Sequence, residues 1–287
     1  MMNILVVGNP GAGKSTILNT LLQKAQFKSG ASLGVGLTFR FDKFQENGIT
    51  YMDTPGLCDI ERRKQAAAAI TMALKQNGIY KVFFVATLEQ GRLRPDDVAL
   101  LKMILESATE LTNYYVVINQ VSRAIKKNLK LDNKAIDEIL LKSAISKQNL
   151  PHNTLIVDRV DEIEGESNKF MDRANMEALK VFVDNAKGVR IHSHLVTNIA
   201  AESFDEIRSK METEMQKIKK KNTDIEKRMA NLLNEREQER IKEESKRLLL
   251  EKEKKEMQII AQQEREKNAK QFEKLQREMS GTIFLTA

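Results

Sequence analysis

The sequence predicts an α/β fold with a mainly parallel sheet and one antiparallel edge strand, followed by a long charged α-helical extension. Short apolar runs alternate with amphipathic segments through the first two-thirds of the chain, a pattern typical of parallel sheets covered by helices on both faces. A glycine-rich turn separates the first apolar run from the first helical segment. All four prolines and twelve of the 13 glycines lie at or before Gly188, so the remainder has almost no residue that interrupts a helix.

Residues 8–15 read Gly-Asn-Pro-Gly-Ala-Gly-Lys-Ser and match the phosphate-binding pattern G-x-x-x-x-G-K-[ST] at every fixed position. An apolar strand over residues 4–7 precedes this phosphate loop, and a helix is expected over residues 16–26. Backbone N–H groups of such a loop surround phosphate oxygens, and the helix dipole adds to the attraction. Lys14 would reach the outer phosphates and is the first catalytic candidate. We predict nucleotide contacts from Gly8, Asn9, Gly11, Ala12, Gly13, Lys14, Ser15 and Thr16.

The elements that follow continue the alternation. Asn47-Gly48 between two apolar runs predicts a hairpin, which supplies the antiparallel edge strand. Pro95 stands where the first turn of a helix accepts proline. Strands are predicted over residues 37–44, 49–52, 80–86, 114–118 and 154–157, and helices over residues 62–76, 96–107, 135–145 and 176–183.

A candidate magnesium site combines Ser15 with side chains farther along the chain. Asp53 begins the sequence Asp-Thr-Pro-Gly at the end of a predicted strand. A carboxylate in this place stands behind the ion, and the N–H of Gly56 can sense the terminal phosphate. Thr38 is the candidate for a hydroxyl that completes the Mg²⁺ shell and is released after hydrolysis, and Ser32 is the alternative.

Residues 119–122, the base loop, follow the strand predicted over residues 114–118 and read Asn-Gln-Val-Ser. Guanine-reading loops carry Asn/Thr-Lys-x-Asp in this place, so Asn119 is predicted to contact the base. Gln120 and Ser122 replace the lysine and the aspartate, and a neutral serine is a weaker acceptor than a carboxylate. This loop alone therefore does not decide whether the site binds guanine or adenine. Asp158 is a candidate for the carboxylate that is missing at position 122.

With these motifs in place, residues 1–190 resemble the GIMAP/AIG-type GTPases, a septin-related branch of the phosphate-loop GTPases. The resemblance is carried by residues 53–59, which follow the family's D-T-P-G-L-x-D, and by residues 88–97. The latter, the arginine segment, read Leu-Glu-Gln-Gly-Arg-Leu-Arg-Pro-Asp-Asp against the family's L-x-x-G-R-x-T-x-E-D. The resemblance implies a P-loop GTPase domain that binds GTP or GDP with Mg²⁺ and self-associates through its nucleotide-binding face. Residues 1–190 would be the AIG-type G domain and residues 191–287 a helical or coiled-coil extension.

The residue after Asp-Thr-Pro-Gly is Leu57, where many GTPases place a glutamine that orients the attacking water. Leucine can neither donate nor accept a hydrogen bond, so an isolated subunit is expected to hydrolyse GTP slowly. A second subunit could supply an arginine finger; Arg92 is the catalytic candidate and Arg94 is second. The alternative is that Arg92 only forms an ion pair with Asp96 or Asp97.

In the extension, apolar residues fall three, four or seven positions apart, which predicts an amphipathic helix. Its first turns are expected to pack on the G domain and its middle to form a dimeric coiled coil. Its distal half is expected to be either a lone solvated helix or an arm that binds a protein partner. A weak membrane-surface contact through Lys217 and residues 219–221 is the alternative. The apolar positions are Ile207, Met211, Met215, Ile218, Ile225, Met229 and Leu232.

The charge distribution and the cysteine content set further limits. The formal net charge of +7 is spread along the chain rather than gathered in the extension, so we expect no nucleic-acid partner. A single cysteine, Cys58, excludes an internal disulfide, and we expect a cytoplasmic protein, alternatively one peripheral on a membrane surface.

Together these patterns predict a guanine-nucleotide switch with slow intrinsic hydrolysis, regulated or assembled through pairing of G domains. A septin-like scaffold that holds nucleotide with little turnover is one alternative. A phosphate-loop protein that uses ATP is another, and a helical adaptor gated by the G domain is a third.

Overall fold

The computed structural model describes residues 1–30, 38, 40–128, 151–160 and 168–283. Within these residues the strands are β1 (Met2–Val7), β2 (Asp42–Glu46), β3 (Ile49–Asp53), β4 (Gly78–Thr87), β5 (Tyr115–Val121), β6 (Asn153–Asp158) and β7 (Val189–Ile191). The helices are α1 (Lys14–Leu22), α2 (Arg63–Leu74), α3 (Pro95–Ser107), α4 (Arg123–Asn128), α5 (Arg173–Asn185) and α6 (Phe204–Ile283). The helix expected over residues 135–145 lies outside the described residues.

The sheet has the order β2-β3-β1-β4-β5-β6 and confirms the predicted fold class. Strand β1 pairs in parallel with β3 and β4, and β5 pairs in parallel with β4 and β6. At the edge, β2 runs antiparallel to β3, as the hairpin signal predicts. Asn47 and Gly48 have φ angles of 51° and 77°, which suit the tight turn of a twisted hairpin. A short additional strand, β7, runs antiparallel to β4.

Helices cover both faces of the sheet, so its central strands are apolar on both sides. In β1, Leu5 and Val7 belong to the core under α2 and α3, whereas Ile4 and Val6 belong to the core under α1 and α5. This alternation explains why the strand appears in the sequence as an unbroken apolar run. It also fixes the carboxyl end of β1 in the middle of the sheet.

Helix α1 ends four residues earlier than predicted. Gln23 adopts a left-handed conformation with φ 54°, and its N–H bonds back to the carbonyl oxygens of Asn19 and Thr20. This arrangement closes the helix after Leu22, although glutamine carries no propensity signal for a helix end.

The chain forms two compact units, Met1–Lys220 and a second that begins at Lys221. Within the first unit, the opening turns of α6 pack on the α2 and α3 side of the sheet, as expected. Phe204 and Met211 are 1% and 2% exposed. The second unit is helical through Ile283, and its apolar residues up to Phe272 are exposed. No helix in the described ranges has both the length and the apolar character needed to cross a membrane.

Arg63 joins α6 to the segment after Asp-Thr-Pro-Gly. Its Nε donates to the carbonyl oxygen of Leu57 at 2.9 Å, its Nη1 lies 2.6 Å from Asp205 Oδ2, and its guanidinium stacks 4.6 Å from the ring centre of Phe204. The start of the long helix is therefore tied to the loop that carries Leu57.

We expect Arg63→Met to lower the free energy of unfolding by about 1–3 kcal/mol, because the methionine keeps the apolar stem but loses the charged hydrogen bond and the stacking. Asp205→Asn is the matched variant. The Asp205 side chain is 65% exposed, so we expect a loss of less than about 1 kcal/mol. Urea unfolding followed by circular dichroism measures both, and equal losses would contradict this account of Arg63.

Candidate nucleotide-binding site

The predicted site residues gather at one edge of the sheet. The phosphate loop follows β1, Asp53 ends β3, and Asn119 lies near the end of β5. These strands are parallel, so their carboxyl ends open onto the same crevice, where open α/β sheets bind ligands. The arginine segment follows β4 and reaches the same edge.

The phosphate loop is held by its own backbone and by Lys14. The Asn9 carbonyl oxygen accepts hydrogen bonds from Lys14 Nζ at 3.1 Å and from the Ala12 N–H at 3.3 Å. Gly13 has a φ of 90°, and a β-carbon there would lie 2.3 Å from Asn119 Nδ2. Only glycine therefore fits at this point of the loop. Gly8, Asn9, Ala12, Lys14 and Ser15 are buried, Gly13 and Thr16 are half-buried, and Gly11 is exposed.

The three candidate magnesium ligands meet. Ser15 Oγ donates to Asp53 Oδ2 at 2.5 Å, Thr38 Oγ1 donates to the same oxygen at 3.1 Å, and the two hydroxyls are 3.3 Å apart. The second carboxylate oxygen, Asp53 Oδ1, is buried without a hydrogen-bond partner among the described residues. An oxygen-only donor set with an unpaired buried oxygen suits Mg²⁺. Ser32, the alternative to Thr38, lies outside the described residues.

Burial disfavours the charged forms of both Lys14 and Asp53. Desolvation lowers the pKa of Lys14, and the charges of Asp53 and Asp97 oppose that shift. Desolvation raises the pKa of Asp53, opposed by Lys14 and by the hydrogen bonds from Ser15 and Thr38. A phosphate beside the ammonium and a cation beside the carboxylate would each replace lost solvation, so the charges fit a phosphate–metal pair.

The Asp-Thr-Pro-Gly turn packs directly on the phosphate loop. A β-carbon at Gly56 would lie 2.4 Å from Pro10 Cδ and 2.7 Å from Asn9 Cα, so a larger residue would push the two segments apart. The next side chain, Leu57, is fully buried in the core under α2 and α3. The position that often holds a water-orienting glutamine is thus turned away from the crevice.

The base loop is tied to the phosphate loop by two side chains. Asn119 Nδ2 donates to the Ala12 carbonyl oxygen at 2.8 Å, and Gln120 Nε2 donates to that of Gly11 at 3.1 Å. Sequence reasoning placed Asn119 at the base but gave Gln120 no role.

The side chains considered for base recognition have local partners. Ser122 Oγ accepts the N–H of Ile125 at 3.2 Å and caps the start of α4. Asp158 forms an ion pair with Lys126 at 2.8 Å. In this arrangement both side chains therefore already have a partner on the protein itself.

Arg92 is exposed, and its backbone N–H and C=O pair with those of Glu89 at 3.0 and 2.9 Å. The two acids considered as its partners bind other arginines. Asp96 Oδ1 lies 2.5 Å from Arg208 Nε, and Asp97 accepts Arg94 Nε at 3.1 Å and Nη2 at 3.2 Å. Within the described residues the guanidinium of Arg92 thus meets neither of these carboxylates.

Comparisons with known proteins match this chain to one family model and to two nucleotide-binding proteins. Residues 3–120 match a family model described as 50S ribosome-binding GTPase. Immune-associated nucleotide-binding protein 10 of Arabidopsis thaliana is 33% identical over 129 residues, which are 40% of this chain and 27% of that protein. Immune-associated nucleotide-binding protein 5 of the same plant is 25% identical over 239 residues, 78% of this chain and 74% of that protein. The match thus spans about a quarter of the first relative's length.

Among solved structures, Toc33 from Arabidopsis thaliana in complex with GDP and Mg²⁺ is 18% identical to this chain. The likeness has a TM-score of 0.43 and covers 66% of this chain and 87% of that one.

Proposed function

We propose that this chain is a guanine-nucleotide switch, because residues 3–120 match a GTPase family model and the curated relatives are immune-associated nucleotide-binding proteins. A single subunit hydrolyses GTP slowly, and pairing of two G domains speeds the reaction or builds an assembly. The observation that carries this proposal is the meeting of Ser15, Thr38 and Asp53 beside Lys14 at the carboxyl ends of β1 and β3.

In this proposal each of the following groups in the crevice has one role. The N–H groups of residues 11–15 and the ammonium of Lys14 bind the phosphates. Ser15 and Thr38 would be the protein's ligands to Mg²⁺, with Asp53 behind them through water, and a bound ion would supply positive charge to the phosphates. Gly56 senses the terminal phosphate, and Asn119 orients the base edge beside the phosphate loop.

The slow rate follows from the position of Leu57. Its side chain is buried and apolar, so this position offers no group to orient the attacking water. The exposed guanidinium of Arg92 supports a trans-acting role, in which it enters the crevice of a second subunit and stabilises the charge on the transferred phosphoryl group. Arg94 is the weaker candidate because Asp97 already accepts two of its donors.

Use of ATP is the second candidate function, because the neutral Ser122 stands where guanine-reading loops carry a carboxylate and Asp158 is paired with Lys126. Competition among GTP, ATP and XTP for the same site separates the two, because XTP differs from GTP at the edge of the base that a carboxylate reads. A static, septin-like scaffold would instead retain unhydrolysed nucleotide at every protein concentration.

The extension is proposed to bind a protein partner or a second copy of the chain. Ile225, Met229 and Leu232 are all more than half exposed on α6 and recur three and four residues apart. Removal of residues 221–287 should leave nucleotide affinity unchanged and abolish that association, as measured by light scattering and pull-down of the full chain against the truncated one.

Thr38→Val tests the magnesium assignment. Valine keeps the shape but removes the hydroxyl, so we expect roughly 5- to 10-fold weaker binding of a non-hydrolysable GTP analogue in Mg²⁺, with little change for GDP. Titration of each nucleotide with and without EDTA measures the difference. Equal losses for both nucleotides, or none for either, would contradict the role given to Thr38.

A further inference from the structure

Asp97 is a fully buried acid that the proposed chemistry leaves unused. It lies in the first turn of α3 and is 0% exposed. Its Oδ1 accepts Asn9 Nδ2 at 2.8 Å and Arg94 Nη2 at 3.2 Å, and its Oδ2 accepts Arg94 Nε at 3.1 Å. An isolated buried carboxylate is costly, and the guanidinium of Arg94 places an opposite charge beside this one.

The bond to Asn9 joins this carboxylate to the phosphate loop. Asn9 is also fully buried, and its backbone carbonyl is the acceptor for Lys14 Nζ and the Ala12 N–H. Its amide oxygen, Oδ1, is buried without a partner among the described residues. The amide group is therefore held through its nitrogen alone, and the carboxylate of Asp97 is what holds it.

We propose that Asp97 is a positioning residue for the phosphate loop. By fixing the side chain of Asn9, it fixes the carbonyl that orients Lys14 and the turn that directs the loop's N–H groups inward. Arg94 supplies the compensating charge beside Asp97. The proposal rests on the nucleotide-binding function above and adds to it a residue that touches neither nucleotide nor metal.

The neighbouring acid provides a contrast within the same helical turn. Asp96 has Arg208 of α6 as its partner and, within the described residues, forms no hydrogen bond to the phosphate loop. Asp96→Asn therefore removes the same charge from the same turn but leaves Asn9 held. An effect of the lost charge or of helix capping would weaken nucleotide binding in both variants. Loss of loop positioning would weaken it only in Asp97→Asn.

Asp97→Asn keeps the size of the side chain but sets an NH₂ group against one of the donors, either Arg94 or Asn9. We expect binding of N-methylanthraniloyl-GDP in Mg²⁺, followed by fluorescence, to weaken roughly 10- to 100-fold, because a hydrogen bond to a buried charge is lost. Asp96→Asn should stay within roughly 2-fold of the parent chain.

Asn9→Ala and the double variant Asn9→Ala/Asp97→Asn complete a double-mutant cycle. We expect the double variant to bind the probe no more weakly than the weaker single variant, since both act through one bond. Additive losses in affinity, or a loss in melting temperature with unchanged affinity, would show a structural role only and would overturn the proposal. If Asp97→Asn does not fold, Asn9→Ala alone decides, and parental affinity of that variant overturns the proposal.

The parent chain separates this inference from the function on which it rests. If the parent binds the probe and Asp97→Asn binds it equally well, the positioning role fails and the nucleotide-binding function stands. If the parent itself does not bind the probe, the proposed function fails.

Discussion

Arg92→Ala is expected to abolish the rise of specific GTPase activity with protein concentration, because the trans-acting guanidinium that a second subunit contributes is lost. Where an arginine finger operates, it contributes roughly 10³- to 10⁵-fold to the rate. At protein concentrations where the parent chain pairs, we expect its specific GTPase activity to exceed that of Arg92→Ala by at least the lower value of this range. Single-subunit activity and GDP affinity should not change, since Arg92 is exposed and lies outside the phosphate loop.

Arg190→Ala is the matched control, because Arg190 is also an exposed arginine of the first unit but lies on β7. Phosphate release measured over a hundredfold range of protein concentration compares the three chains. A flat specific activity in the parent would contradict trans activation, and a rise that survives in Arg92→Ala would assign it to another group.

Lys14→Ala is expected to weaken binding of GTP and GDP by about 10²- to 10³-fold. The ammonium makes charged hydrogen bonds to phosphate oxygens, each worth roughly 1.5–3 kcal/mol, in a site where burial has removed competing water. Calorimetric titration of both nucleotides measures the loss.

Lys24→Ala serves as the comparison, since this lysine is exposed and pairs with Glu46 away from the crevice. Parental affinity is expected for it. If Lys14→Ala binds both nucleotides as tightly as the parent chain, Lys14 does not contact the phosphates, and the assignment of the phosphate loop is contradicted.

Much of the fold could be predicted because local pattern and tertiary structure agree in it. Central strands appear as apolar runs since both faces of the sheet are covered, and the hairpin follows from Asn47-Gly48. Strand β7, with only three residues, is too short to show a period. The early end of α1 depends on the left-handed conformation of Gln23, which no side-chain propensity predicts.

The candidate site likewise has residues that the sequence predicts and contacts that it does not predict. Lys14, Ser15 and Asp53 are predictable because the motif fixes both their types and their spacing. The bonds from Asn9 to Asp97 and from Gln120 to Gly11 join residues 88 and 109 positions apart. Such pairs depend on which strands are neighbours in the sheet, and a single sequence does not contain that information.

The central claim is that the glycine loop after β1 binds a nucleoside phosphate together with a divalent cation. Calorimetric titration of GDP into the full chain, with Mg²⁺ and then with EDTA, tests it most directly. The account predicts one site per chain whose affinity falls when the ion is removed. The absence of binding under both conditions, with no nucleotide already bound to the purified protein by mass spectrometry, would contradict it.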